Sequence, residues 1–380
     1  MTTAELALVI GLAGIALVAG YALGRRKSSV PGTGSGQQVP PPSADAAPTA
    51  MPPPPAEARP GAASENDTLS KPAAKPSPRS RDFAPVPVQL DNPSELLGRV
   101  QSWGYQLQDL DVARAAASPF DLLVVDYAKD GGDDSALTSA EVRRLQTKTG
   151  GGRRLVLAYL SIGEAESYRS YWRKDWKRQR PDWLLGENPD WDENYAVCFW
   201  DAGWQDLLCG SPGALLDRVM AQGFDGVYLD KCDVTEDLKR RERKAAGQRS
   251  DLEADMVALV ERLAAYARER RPGFLVVMQN AEPLLERPAL RQVIDAVAKE
   301  ELLYGLDAAE KANGRDEVAW SRERLDLVRQ DGKPVLVVEY LNDRTKIARA
   351  AESIRKLGYV LYVSDKSREL DRLSYVTLEA

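Results

Sequence analysis

Gly223-Phe224-Asp225-Gly226-Val227-Tyr228-Leu229-Asp230-Lys231-Cys232-Asp233 is the stretch whose reading decides the fold. It reads as a turn, then a short buried strand (Val227, Tyr228, Leu229), then an acid, Asp230, where the strand should stop. In a parallel α/β barrel the C-terminal rim of the strands is where chemistry is placed. The same grammar recurs along the chain. Leu123-Val124-Val125 runs into Asp126, Val156-Leu157-Ala158-Tyr159 runs on to Glu164, and Val276-Val277-Met278 ends in Gln279-Asn280. Ala296-Val297-Ala298-Lys299 ends in Glu300, and Leu336-Val337-Val338 in Glu339. A strand with a purely structural task has no reason to finish so often in a polar or acidic residue.

Working outward, eight strands are expected: Tyr105–Leu107, Leu122–Asp126, Leu155–Leu160, Gly226–Asp230, Leu275–Asn280, Ala296–Glu300, Val335–Tyr340 and Tyr359–Val363. Amphipathic segments separate them. Leu252, Met256, Leu259, Val260, Leu263 and Ala267 have the spacing of a helix with one apolar face. This alternation predicts a (β/α)8 barrel over residues 90–380, which needs roughly 250 residues. The interval after the third strand, from Glu164 to Gly223, is too long for one helix. It holds six of the eight tryptophans (Trp172, Trp176, Trp183, Trp191, Trp200 and Trp204), so an aromatic insertion beside the barrel mouth is expected. Most of these rings should form its own core, with at least one free to stack on a sugar.

Two segments precede the barrel. Leu6–Leu23 is an uncharged apolar run of 18 residues followed by Arg25-Arg26-Lys27, just long enough to span a membrane. Residues 1–27 therefore read as a transmembrane anchor or a signal segment, although Met1–Glu5 lacks the basic residues of a signal peptide. Residues 28–89 are rich in Pro, Ala and Ser, with 15 of the 24 prolines, and read as a disordered spacer. The flanking positive charges favour a cytoplasmic spacer. A membrane helix and a long spacer suit instead a domain held outside the cytoplasm, at the membrane or secreted if the segment is cleaved.

Composition narrows the chemistry. The chain has no histidine, which removes Ser-His-Asp and Cys-His nucleophile systems and histidine-ligated zinc. Acid–base work must fall to Asp, Glu, Lys, Tyr or Cys. The net charge of −6, with basic residues interleaved among acids, gives no argument for a nucleic-acid partner. Cys198, Cys209 and Cys232 form no C-x-x-C pair; Cys198 and Cys209 read as buried thiols or as a bridge in an oxidising compartment.

Tyr159-Leu-Ser-Ile-Gly-Glu-Ala-Glu-Ser-Tyr-Arg169, Phe199-Trp-Asp-Ala-Gly-Trp204, Gly223–Asp230 and Gln279-Asn280, in that order, resemble glycoside hydrolase family 114. The likeness covers roughly Trp103 to Asp365, and lies within the prokaryotic extracellular branch sometimes labelled cysteinyl-tRNA-synthetase-like. That label finds no support here, because the synthetase signature needs histidine. The resemblance implies a barrel related to endo-α-1,4-polygalactosaminidases, with an acid on the fourth strand and a Glu on the sixth doing the chemistry. Asp230 and Glu300 match those places, and Glu301 is a competing register for the second.

Glycosidic cleavage needs two carboxyl groups, one protonated and one ionised, and no cofactor or metal. Asp230 reads as the nucleophile, against a helix cap as the plainer alternative, and Glu300 as acid/base, against an ion pair with Lys299. Asp126, Tyr127, Glu164, Asp201, Gln279, Asn280, Glu339 and Tyr340 are the candidate substrate-binding residues, with loop structure or helix capping as alternatives. A carboxylate-lined mouth would suit a cationic amino sugar. Three classes follow: a polysaccharide hydrolase, a wall- or exopolysaccharide-binding barrel without turnover, and a carboxylate-only Mg²⁺ enzyme. If Asp230 and Glu300 converge across one bond, retention is expected.

Overall fold

The structure, a computed structural model, describes residues 92–378 apart from Pro212. The readings of residues 1–27 and 28–89 lie outside the described residues. Within those described, no helix is long and apolar enough to cross a membrane.

Among the described residues eleven strands run in chain order: β1 Trp103–Gln106, β2 Leu122–Val125, β3 Leu155–Ser161, β4 Glu164–Glu166, β5 Leu184–Glu187, β6 Asn194–Val197, β7 Gly226–Asp230, β8 Leu275–Gln279, β9 Ala296–Glu300, β10 Val335–Tyr340 and β11 Val360–Ser364. Eight of them form one parallel sheet in the order β1-β2-β3-β7-β8-β9-β10-β11. Their sequences are continuous apolar runs, as befits parallel strands covered on both faces; LLVV of β2 is buried at every position. The sheet curls until β11 meets β1. There the Trp103 indole N–H donates to the Val360 carbonyl at 3.1 Å, and the Tyr362 hydroxyl donates to the Tyr105 carbonyl at 3.4 Å. The result is the (β/α)8 barrel expected from the alternation, with helices between successive barrel strands.

The first strand is displaced from its expected position, covering Trp103–Gln106 in place of Tyr105–Leu107. Leu107 leaves the ladder because its N–H donates to the Leu370 carbonyl at 2.9 Å, a loop partner from the far end of the chain. The helix expected around Leu252 to Ala267 runs from Leu252 to Arg270, with Asp251 capping it by accepting the Ala254 N–H at 2.8 Å. Its periodic apolar residues are the buried ones, including Met256, Leu259, Val260 and Leu263. Gly226 opens β7 because a Cβ there would fall 2.3 Å from the Leu275 carbonyl oxygen, so only glycine lets β7 and β8 approach.

Side chains two apart on a strand share a face, and the inward face of this barrel is aromatic. Trp103, Tyr105 and Tyr228 pack with ring centroids 5.3–6.4 Å apart, and Tyr362 stands 5.6 Å from Trp103. These fully buried rings fill the interior as a floor. The next inward residues along β7 and β9, toward the C-terminal rim, are Asp230 and Glu300.

The insertion follows β3. Its strands β4, β5 and β6 make a separate antiparallel sheet in the order β4-β6-β5. Trp172, Trp176, Trp183 and Trp204 contact one another in series at 5.1–5.4 Å, forming the aromatic core of this insertion. The Trp204 indole N–H donates to the Ile162 carbonyl at 2.9 Å and ties the insertion to the end of β3.

Candidate active site

At the end of β7 the chain turns through Lys231, whose φ of 61° is left-handed. That turn aims the Lys231 backbone N–H back at Asp230 Oδ1, to which it donates at 2.7 Å. The other oxygen, Oδ2, accepts from the Tyr159 hydroxyl at 2.7 Å. Gly163 makes the turn possible: a Cβ at that position would meet the Lys231 carbonyl oxygen at 2.2 Å. Asp230 thus accepts a short hydrogen bond at each of its two oxygens.

Glu300 ends β9 in a different setting. The Tyr340 hydroxyl donates to its Oε1, and Asn280 Nδ2 reaches its Oε2 only at 3.4 Å. The Asn280 side chain is held in place because its Oδ1 accepts the Glu300 backbone N–H at 3.1 Å. Burial first, then the charge of Asp230, push the Glu300 carboxyl above the ordinary carboxylate range, against the opposing pull of the Tyr340 hydrogen bond. Asp230 and Glu300 are close enough for the charge of Asp230 to act on the Glu300 carboxyl, and the two differ in their hydrogen-bond donors.

Both border one cavity of about 260 Å³ at the rim. Each carries a lysine beside it in sequence, and each lysine is engaged elsewhere. Lys231 Nζ lies 3.5 Å from Glu164 Oε2, and Lys299 Nζ lies 3.1 Å from Glu282 Oε1. Burial disfavours the Lys299 ammonium, but Glu282 outweighs it and the ammonium is held. Glu282 in turn accepts from the Ser321 hydroxyl at 2.9 Å. Glu301, the competing register for the acid, is paired with Arg368. Two tryptophans border the same cavity: Trp191 from the insertion and Trp320 from the helix Arg315–Gln330 that follows β9. Among the described residues no group of three or more Cys, Asp or Glu is disposed to hold a metal ion.

The sequence profile of glycoside-hydrolase family GH114 matches residues 85–378. The chain belongs to glycoside-hydrolase family GH114. Two relatives of this GH114 chain extend over most of it. An uncharacterized protein of Deinococcus radiodurans is 41% identical over 313 residues, covering 80% of this chain and 93% of its own. An uncharacterized protein of Methanocaldococcus jannaschii is 37% identical over 284 residues, covering 72% of this chain and 78% of its own. The solved glycoside hydrolase domain of PelA from Pseudomonas aeruginosa superposes with a TM-score of 0.52 at 21% identity, over 72% of this chain and 97% of that domain. At that identity the likeness is one of fold.

The GH114 barrel places the remaining sequence-predicted residues unequally. Asn280 and Tyr340 border the cavity beside Glu300. Asp126 does not; it is buried in an ion pair with Arg169 at 2.8 Å, and Tyr127 packs its ring under the same guanidinium at 5.0 Å. Glu164 lies behind Lys231, bonded to Asn188 Nδ2 at 2.8 Å, its carboxyl raised by burial against the pull of Lys231. Asp201 caps the helix Ala202–Leu208 by accepting the Gly203 N–H at 2.7 Å. Gln279 is enclosed in the barrel, accepting from the Tyr105 hydroxyl at 3.3 Å. Glu339 is wholly buried and accepts the backbone N–H groups of Leu303 and Tyr304 at 2.7 and 3.2 Å, which folds the loop after β9. The three cysteines are free and buried. Sequence reasoning passed over Tyr159, Lys231, Asp233, Glu282, Trp320 and Arg368 as site residues. Only Lys231 and Asp233 carried a usable signal, standing within three residues of the acid that ends β7.

Proposed function

We propose that this GH114 protein hydrolyses a polysaccharide with retention of anomeric configuration, Asp230 acting as nucleophile and Glu300 as acid/base. The observation that carries the reading is the pair of unlike carboxyl groups on one cavity wall, one given two short donors and the other pushed up by burial and by its neighbour's charge. In the first step Asp230 forms a bond to the anomeric carbon while the glycosidic C–O bond breaks, and the Glu300 proton goes to the departing oxygen. In the second, Glu300 takes a proton from water as that water's oxygen displaces Asp230, so that one water is consumed per bond cleaved.

The substrate class we infer is an α-1,4-linked galactosamine or N-acetylgalactosamine polymer. The family resemblance suggests it, and Trp191 and Trp320 on the cavity wall offer apolar faces for pyranose rings. We place the domain outside the cytoplasm, on the pattern of an apolar Leu6–Leu23 run followed by a proline-rich spacer.

The test is incubation of the protein with galactosamine- and glucosamine-containing polysaccharides, followed by mass spectrometry of the products and NMR of the first anomer released. New oligosaccharides of retained configuration are expected, unaffected by chelator. Asp230→Asn and Glu300→Gln should each lower kcat by about 10²–10⁴, while Glu301→Gln, which breaks the pair with Arg368, should keep most of it. Binding without products in the unaltered protein would leave a carbohydrate-binding barrel. Full activity in both Asp230→Asn and Glu300→Gln would reject the assignment.

A further inference from the structure

We propose that Tyr228 is a positioning residue for Glu300: its hydroxyl supplies a hydrogen bond to Glu300 Oε2 once that carboxyl has given up its proton. The proposal rests on the acid/base reading of Glu300 for its place in catalysis, and on the packing of the barrel interior for the contact itself.

Tyr228 lies on β7 two residues before Asp230 and so shares its inward face. Its side chain is completely enclosed, with the ring 5.3 Å from that of Tyr105 and 6.4 Å from that of Trp103. Among the described residues its hydroxyl has no hydrogen-bond partner. The neighbouring tyrosines of the barrel do not share that state. Tyr105 donates to Gln279 Oε1 at 3.3 Å, Tyr159 to Asp230 Oδ2 at 2.7 Å, Tyr362 to the Tyr105 carbonyl at 3.4 Å, and Tyr340 to Glu300 Oε1. A buried donor without an acceptor is disfavoured, and protein interiors rarely keep one without a task. A matching acceptor stands in the same interior. Among the described residues Glu300 Oε2 has only the Asn280 Nδ2 donor, at 3.4 Å, whereas both oxygens of Asp230 accept at 2.7 Å.

The field at the Tyr228 hydroxyl singles out the same partner. Burial holds the phenol far above its ordinary range, so it donates without releasing its own proton, and Glu300 is the foremost charge acting on it, with Asp230 second. While Glu300 is neutral, Tyr340 fills Oε1 and the acid's proton sits on Oε2, turned to the cavity, which leaves a weak acceptor behind it. When that proton passes to the departing oxygen, Oε2 becomes a charged acceptor and draws a short hydrogen bond. Tyr228 then offsets part of the cost of a charge beside Asp230, and the bond is lost again when Glu300 takes a proton from water. The other groups that face Glu300 are Tyr340 from β10, Asn280 after β8, Asp230 from β7 and Tyr105 from β1, with Lys299 and Glu301 beside it in sequence. Each of them is retained in Tyr228→Phe.

That substitution removes one oxygen and keeps the ring. Urea unfolding of the full chain is compared with that of Tyr228→Phe from about pH 4 to about pH 9, alone and in a Glu300→Gln background. Below the titration of Glu300, which burial raises above the ordinary carboxylate range, the variant should be as stable as the parent or more so. As Glu300 ionises, the ratio of unfolding constants, variant over parent, should rise about tenfold, and in Glu300→Gln it should stay level. Glu339, common to both chains, cancels from the ratio. The alkaline midpoint of kcat/KM should move up by about one unit. A ratio that does not change with pH, a rise that persists in Glu300→Gln, or an alkaline midpoint that stays in place in an active enzyme would overturn the proposal. The Glu300-dependent rise in a protein that hydrolyses no polysaccharide would uphold the contact and reject the hydrolase reading; hydrolysis with a level ratio would do the reverse.

Discussion

Tyr340→Phe tests the proposed acid through a single oxygen atom. Tyr340 is 6% exposed, so the phenylalanine ring should fill the same space, and the loss is confined to the hydroxyl that donates to Glu300 Oε1. The remaining side-chain donor, Asn280 Nδ2 at 3.4 Å, is too long to replace it. A hydrogen bond to an ionised acceptor contributes about 1.5–3 kcal/mol, and one to the neutral acid about 1 kcal/mol. The ionised form therefore loses about 0.5–2 kcal/mol more than the neutral one, a range centred on about one pH unit. An acid/base residue must be protonated to assist departure, so activity falls on the alkaline side as Glu300 ionises. Removing a group that favours ionisation moves that limb to higher pH. Measured as kcat/KM from about pH 4 to about pH 9, the variant should show its alkaline midpoint displaced upward by about one unit, with the acid limb in place. An alkaline midpoint that stays put or moves down would show that Glu300 is not the titrating acid or that Tyr340 does not control it.

Gly163→Ala should cost activity by about 10²-fold or more and lower Tm, because the new Cβ meets the Lys231 carbonyl oxygen at 2.2 Å and Val234 Cγ1 at 2.7 Å, disturbing the turn that aims a donor at Asp230; unchanged kcat would refute the role of that turn. Trp191→Ala should raise KM about fivefold to thirtyfold, the loss of about 1–2 kcal/mol of ring contact, and leave kcat near its parent value; initial-rate kinetics decide it. Glu339, raised by burial to about 8, keeps its proton in the folded state to that pH and releases it in the unfolded chain near about 4.3. The unfolded state then binds fewer protons in between, so stability should decline from about pH 5 to about pH 8, by at most on the order of 4–5 kcal/mol. Glu339→Gln should flatten that decline in urea unfolding followed across pH, and an unaltered slope would refute it.

The barrel was legible because parallel strands buried on both faces must be apolar throughout, and helices between them must keep one apolar stripe. The short β1 was the exception, since Leu107 is extended and apolar but spends its N–H on Leu370. Asp230 and Glu300 were legible as acids at strand ends. The same rule selected Asp126 and Glu339, which the fold uses otherwise: Asp126 is taken by Arg169, 43 residues later, and Glu339 by backbone N–H groups 35 and 36 residues earlier. Nothing local marks such partners. Trp320 was invisible for a related reason, since a tryptophan in a charged helix gives no sign of whether it faces solvent or a cavity. Of the six tryptophans in the insertion, Trp191 borders the cavity, as expected of at least one.

In the proposed mechanism a chain without histidine must make one carboxyl group hold a proton and another release it, and the two acids share much of their surroundings. Asp230 and Glu300 each end a barrel strand, each accepts a tyrosine hydroxyl, and each neighbours a lysine already bound to a buried glutamate. Matched in this way, the two lysines add little that would distinguish the acids. The hydrogen-bond asymmetry lies in the remaining donor. Asp230 receives a backbone N–H at 2.7 Å because Lys231 turns left-handed over Gly163, whereas Glu300 receives a side-chain amide at 3.4 Å. A backbone donor fixed by a turn cannot rotate away, and the charge of Asp230 adds to burial in raising the cost of ionising Glu300. In the proposed mechanism the turn after β7 and the glycine beneath it position Asp230, while burial comes first in setting Glu300 apart.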